Sequence, residues 1–123
     1  MTALYIAGPM TGYPEENRPA FHQVAAALRA AGFDVVNPAE FDTKETALGW
    51  AECLRRDLKK LVDCDGIVRL PGWESSRGAC LEVEVGRKLG LTTYLSYFHH
   101  NCWNFLSLDT GDEISCPCDH GDL

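Results

Sequence analysis

The stretch Leu70-Pro71-Gly72-Trp73-Glu74-Ser75-Ser76-Arg77-Gly78-Ala79-Cys80-Leu81-Glu82 gathers residue types that chemistry uses: two hydroxyls, a glycine turn and a carboxylate. Ser75 and Ser76 are placed to cap a helix, and the free N–H groups of a helix start attract anions. Glu82 lies one turn after Gly78, so turn and carboxylate can border one pocket. A carboxylate near a helix start is favoured in its ionised form, which suits a nucleophile better than a proton donor. The same spacing also describes a solvated helix charge behind a serine cap, since helix N-termini favour acids generally. Glu84, two residues on, points to a different side of the helix. Glu74 opposes anion binding if it turns inward.

Asp57 is the second carboxylate of interest. The helix that contains it carries Trp50, Cys53, Leu54, Leu58 and Leu61 on its apolar face, and Asp57 falls on that face. An acid there is costly unless it is paired or lines a cavity. Two accounts stand side by side: an ion pair with an internal partner such as Arg69, or a shared pocket with Glu82.

The elements that would position these groups alternate. Ala3-Leu4-Tyr5-Ile6-Ala7 reads as a first, central strand, followed by the loop Gly8-Pro9-Met10-Thr11-Gly12-Tyr13-Pro14. That loop lacks the G-x-G-x-x-G spacing of a dinucleotide fingerprint. Phe21, Val24, Ala25 and Leu28 recur at helical spacing, ending at Ala31-Gly32. Phe33 to Val36 is a second strand stopped by Asn37-Pro38, and residues 38–48 read as loop or short turns. A helix follows from about Ala47 to Val62, then a third strand from Ile67 to Leu70, the helix from Arg77 to Leu89 ended by Gly90, and a fourth strand from Leu91 to Leu95.

This order predicts an α/β fold, a single Rossmann-like (flavodoxin-like) domain whose mostly parallel sheet has helices on both faces. Ligands of such sheets bind beyond the carboxyl ends of the strands. That rule collects Gly8-Pro9-Met10, Asn37 and Gly72-Trp73 on one rim, beside the start of the Glu82 helix. The predicted domain spans residues 1–97. Residues 98–123 lack clear periodicity and read as an acidic tail, docked on the domain or a partner through Trp103, Phe105 and Leu106, with loop or disorder from Asp109.

The 123 residues suffice for one domain and carry a net charge of −7. All 11 Lys and Arg lie before residue 89, and the five acids beyond it have no base among them. That imbalance argues against a nucleic-acid polymer as partner, because phosphate contacts need clustered cations. No apolar run is long enough for a bilayer, and no secretory signal is visible, so a cytoplasmic protein without a membrane partner is expected. Cys53, Cys64 and Cys80 read as small core residues. Cys102, Cys116 and Cys118 lie near His99, His100 and His120, but without C-x-x-C spacing, so no metal is expected.

Taken together, Tyr5-Ile6-Ala7-Gly8-Pro9-Met10-Thr11-Gly12, Asn17, Phe21, Asn37-Pro38, Trp50, Arg56-Asp57, Cys64-Asp65, Leu70-Pro71-Gly72-Trp73 and Ser76-x-Gly78-Ala79-x-x-Glu82 resemble the small DUF4406 proteins. These are similar to nucleoside 2-deoxyribosyltransferases and to 2'-deoxynucleoside 5'-phosphate N-hydrolases. The resemblance covers roughly residues 3–95. It implies that Glu82 is the nucleophile and that Asp57 contacts the base. Gly8, Pro9 and Met10 would border base and sugar, and Asn17 belongs to the same pattern. Ser76 stands where the 5'-phosphate N-hydrolases carry a phosphate-binding serine and the transferases tend to carry an aspartate, which favours a phosphorylated substrate. Ser75 and the N–H groups of Arg77 and Gly78 would help hold the phosphate, and Trp73 would stack on the base or form a wall. The resemblance further implies a small nucleoside or nucleotide as partner, no cofactor, and a homodimer or higher homo-oligomer. A non-catalytic protein that binds a nucleotide or nucleotide signal is the alternative, with the Glu82 carboxylate then accepting a ribose hydroxyl.

Overall fold

The computed structural model describes residues 2–41 and 49–114. A six-stranded sheet has the order β2-β1-β3-β4-β5-β6. Its strands are β1 (Ala3–Ala7), β2 (Asp34–Val36), β3 (Gly66–Arg69), β4 (Thr92–His99), β5 (Cys102–Ser107) and β6 (Glu113–Ile114). The first four are parallel, whereas β5 and β6 join antiparallel. The helices are α1 (Arg18–Ala30), α2 (Trp50–Leu61) and α3 (Arg77–Lys88). The expected start of α2 at Ala47 lies outside the described residues. None of the described helices is long and apolar enough to cross a membrane.

Strand alternation divides the core in two. Leu4 and Ile6 of β1 face α1, where Phe21, Val24, Ala25 and Leu28 make the buried stripe that their spacing predicts. Tyr5 and Ala7 face the other side, against Leu61 at the end of α2 and Ala79 and Val83 of α3. The chain thus places helices on both faces of the sheet, as expected. After β1 the connection leads to β2 on one side, and the next strand, β3, lies on the other. That reversal makes the carboxyl end of β1 a switch point, where open α/β sheets place ligands.

The end of β1 is held close to its neighbour. A Cβ at Gly8 would lie 2.7 Å from the Leu70 Cβ, so only glycine lets this loop pass the end of β3. Gly72 has φ +85°, and a Cβ there would meet the Tyr13 hydroxyl.

The chain beyond residue 97 contains an ordered hairpin that hydropathy alone did not reveal. β4 continues to His99 and pairs with β5 through Tyr94–Ser107 to His99–Cys102. Trp103 and Phe105 pack on the α1 side, and the Trp103 indole donates to Gln23 at 3.0 Å. The tight turn has His100 and Asn101 at φ 55° and 60°, a left-handed pair that hairpins usually fill with Asn-Gly. Without that glycine the turn carries no strong local signal. Cys116, Cys118 and His120 lie outside the described residues, and no group of three or more metal-ligating side chains occurs among the described ones.

Candidate active site

Ser76 caps α3: its Oγ accepts the Ala79 N–H at 3.2 Å. Five residues into that helix plus one, at its sixth position, Glu82 turns inward onto β1 and is only 6 % exposed. The Tyr5 hydroxyl donates to Glu82 Oε2 at 2.6 Å, joining residues 77 apart in sequence. Burial pushes the Glu82 carboxyl up to about 8; the Tyr5 hydrogen bond works against that rise and the Asp57 charge adds to it. The Tyr5 hydroxyl is itself pushed well above its usual value, first by burial and then by Glu82, so it stays a donor.

This corrects the expectation that the helix start keeps Glu82 ionised. The dipole effect fades within the first turn, and Glu82 sits beyond it, inside a low-dielectric wall. At neutral pH the resting side chain is mainly the neutral acid.

Asp57 reaches the same space from α2. Both carboxyl groups line one cavity of about 390 Å³ at the carboxyl end of β1. Asp57 is paired with Arg56, whose Nε donates to Oδ1 at 3.1 Å, and its side chain is 15 % exposed. The alternative partner named above, Arg69, instead lies over the Trp73 ring at 4.6 Å.

Gly8, Met10, Ser76 and Gly78 line the cavity with the two acids. Pro9 and Asn17 are not among the lining residues; the Asn17 amide donates to the Pro9 carbonyl at 2.9 Å and so ties the loop between Gly8 and Met10 to the start of α1. Trp73 packs with the β1–α3 core rather than lining the cavity. Ser75 is exposed and donates to the Gly72 carbonyl at 2.8 Å, so its hydroxyl closes a turn. Asn37 is fully buried; it accepts from the Ala39 N–H and meets the His22 ring, leaving Pro38 to form the wall. Glu74 is exposed.

Three contributors were not singled out from the sequence as site residues. Tyr5 reads as one more apolar member of β1, although a buried tyrosine hydroxyl generally needs a partner, and that was the available signal. Trp50, placed on the buried face of α2, is 48 % exposed and lines the cavity mouth, with the Arg77 guanidinium 4.0 Å from its ring centre. Arg56 also lines the cavity and supplies the only guanidinium among its described walls.

Fold and site together define a Rossmann-like α/β domain with a buried carboxyl at its switch point. Solved structures of the same architecture include the 2-deoxyribosyltransferase of Bacillus psychrosaccharolyticus, at TM-score 0.63 and 21% identity over 76% of this chain and 71% of that one. The 2-deoxyribosyltransferase of Leishmania mexicana superposes at 0.58, with 21% identity, 80% and 67% covered. The CMP N-glycosidase of Clostridium botulinum does so at 0.55, with 17% identity, 76% and 67% covered. At these identities the likeness is one of fold. No curated protein matches the sequence. The chain belongs to the DUF4406 family, a domain of unknown function, whose pattern matches residues 2–95.

Proposed function

We propose that this protein cleaves or transfers the N-glycosidic bond of 2'-deoxynucleosides or their 5'-monophosphates, through a covalent glycosyl ester on Glu82. The observation that carries this reading is the Glu82 carboxyl itself, buried, oriented by Tyr5 and facing a cavity that Asp57 shares. The fold shared with two deoxyribosyltransferases and a nucleotide N-glycosidase supports it.

The chemistry follows from one proton and two carboxyls. Glu82 rests protonated and Asp57 lies across the same cavity. Passing the Glu82 proton to Asp57 yields a nucleophile and an acid in one move. The freed Glu82 oxygen then forms a bond to C1' as the C1'–N bond breaks. The bonding pair leaves with the base, which takes the proton from Asp57. Tyr5 keeps its hydrogen bond to the other Glu82 oxygen, stronger now that the acceptor is charged. Water or a second base next attacks C1' and releases Glu82, with a proton returned to Asp57. This is the two-step logic of retaining glycosidases.

The start of α3 would hold a 5'-phosphate through Ser76 and the N–H groups of Arg77 and Gly78. Ser75 takes no part in this reading, since its hydroxyl is engaged with Gly72. A homodimer or higher homo-oligomer belongs to the same proposal, and no metal enters it.

The test is incubation with each 2'-deoxynucleoside and each 5'-monophosphate, with free base measured by chromatography and the intact protein weighed. Release of base and a deoxyribosyl adduct that disappears in Glu82→Gln are expected. Tight binding of a nucleotide without cleavage would instead establish the non-catalytic alternative.

A further inference from the structure

A second cavity of about 390 Å³ opens on the α3 side of the sheet, over the start of β4. Its walls come from Arg69, Arg87, Leu91, Thr93 and the β5–β6 connection at Leu108 and Asp109. Thr93 pairs with Ile67, so strand alternation puts Thr93 and Arg69 on the face that α3 covers in part.

The charge in this cavity is unbalanced. Arg69 makes no ion pair among the described residues, and its Nε is buried with no hydrogen-bond partner there. Its contact is the Trp73 ring. A buried guanidinium nitrogen left unmet costs free energy, because the hydrogen bond it made to water is not replaced. Burial lowers the affinity of Arg69 for its proton; Glu74 partly offsets this, without an ion pair, and the Arg87 charge adds to it. Arg87 is largely solvated and holds Glu84 only loosely, at 3.4 Å. The single carboxylate in the wall, Asp109, is engaged by the backbone N–H of Thr93 at 2.9 Å. Two arginines therefore line one recess whose single lining carboxylate already accepts a backbone N–H.

We propose that this recess binds a phosphate-type oxyanion, free or carried as a monoester on a small molecule, gripped by Arg69 and Arg87. A tetrahedral oxyanion has enough acceptors for two planar forks, more than a lone carboxylate offers. Thr93 adds a hydroxyl donor to the same wall. The site is independent of the reaction proposed for Glu82, and of the elements that wall the two cavities only α3 is common to both.

The experiment is an amide NMR titration of the full chain at low salt, with inorganic phosphate in one arm and 2-deoxyribose 5-phosphate in the other. Saturable shifts of Gly90, Leu91 and Thr93 are expected. The arm that saturates at the lower concentration identifies free or esterified phosphate as the ligand. Arg69→Gln weakens that binding about tenfold or more, and the exposed Arg87→Gln about threefold. An unchanged dispersion of the remaining resonances shows that each variant is folded. Shifts confined to Gly78 and Ala79, absence of saturation in both arms, or unchanged affinity in both variants overturns the proposal.

Discussion

Glu82 and Glu84 stand two residues apart on α3, one turned to the sheet and the other to water. Glu82 is buried beside Tyr5 and shares a cavity with Asp57. Glu84 is half exposed and contacts Arg87 and Lys88, three and four residues on, at 3.4 and 3.9 Å. The same side chain thus serves as a tuned acid on one face and an ordinary helix-surface partner on the other. The difference comes from 200° of helical rotation, roughly, and not from residue type.

Replacing each glutamate by glutamine sharpens that contrast most. Glu82→Gln should lower base release by about 10³-fold or more, whereas Glu84→Gln keeps it within about twofold. Steady-state rates on the preferred deoxynucleotide measure both. Comparable losses in the two variants would break the comparison.

Stability against pH gives the next largest effect. The Glu82 carboxyl titrates near 4.5 unfolded and about 8 folded. The folded state therefore holds the proton more tightly. Its contribution is fully present below about pH 4.5 and is lost as pH rises towards 8. At 1.36 kcal/mol per unit the full loss amounts to about 5 kcal/mol. Glu82→Gln, a neutral near-isostere, should be more stable than the wild type at pH 8 by a few kcal/mol, and nearly equal to it at pH 4.5. Denaturant midpoints at the two pH values decide this.

Tyr5→Phe deletes the hydrogen bond that favours the ionised Glu82, so the carboxyl should rise above about 8. The rate at neutral pH falls about tenfold, and the basic limb of kcat/KM moves upward. A pH–rate profile that does not move would mean that Tyr5 only fills space. The smallest expected change belongs to the outer face: Glu84→Gln alters the unfolding free energy by no more than about 0.5 kcal/mol.

Much of the fold was legible because its signals are local. The stripe Phe21, Val24, Ala25, Leu28 identifies α1 by its spacing, and Ser76 three residues before Ala79 marks the start of α3. The β4–β5 hairpin was not legible, since His100-Asn101 lacks the glycine that usually announces such a turn. In the site, Glu82, Asp57, Gly8, Met10, Ser76 and Gly78 were named from sequence and meet around one cavity. Trp73 and Ser75 were named with them, yet their side chains turn to the core and to a turn carbonyl. A residue's place along the chain does not say which way it faces where the helical or strand register has lapsed, as it has between β3 and α3.

The alternation of the first four strands with three helices, the rim at the strands' carboxyl ends and the presence of two acids near it were written in the chain itself, because periodicity, caps and turn chemistry act between near neighbours. The protonation of Glu82, its bond to Tyr5 and the Arg69 Nε left without a hydrogen-bond partner among the described residues were decided only by tertiary structure. Each depends on how much water is excluded and on which distant group supplies the partner, and both are settled when α3 packs against the sheet.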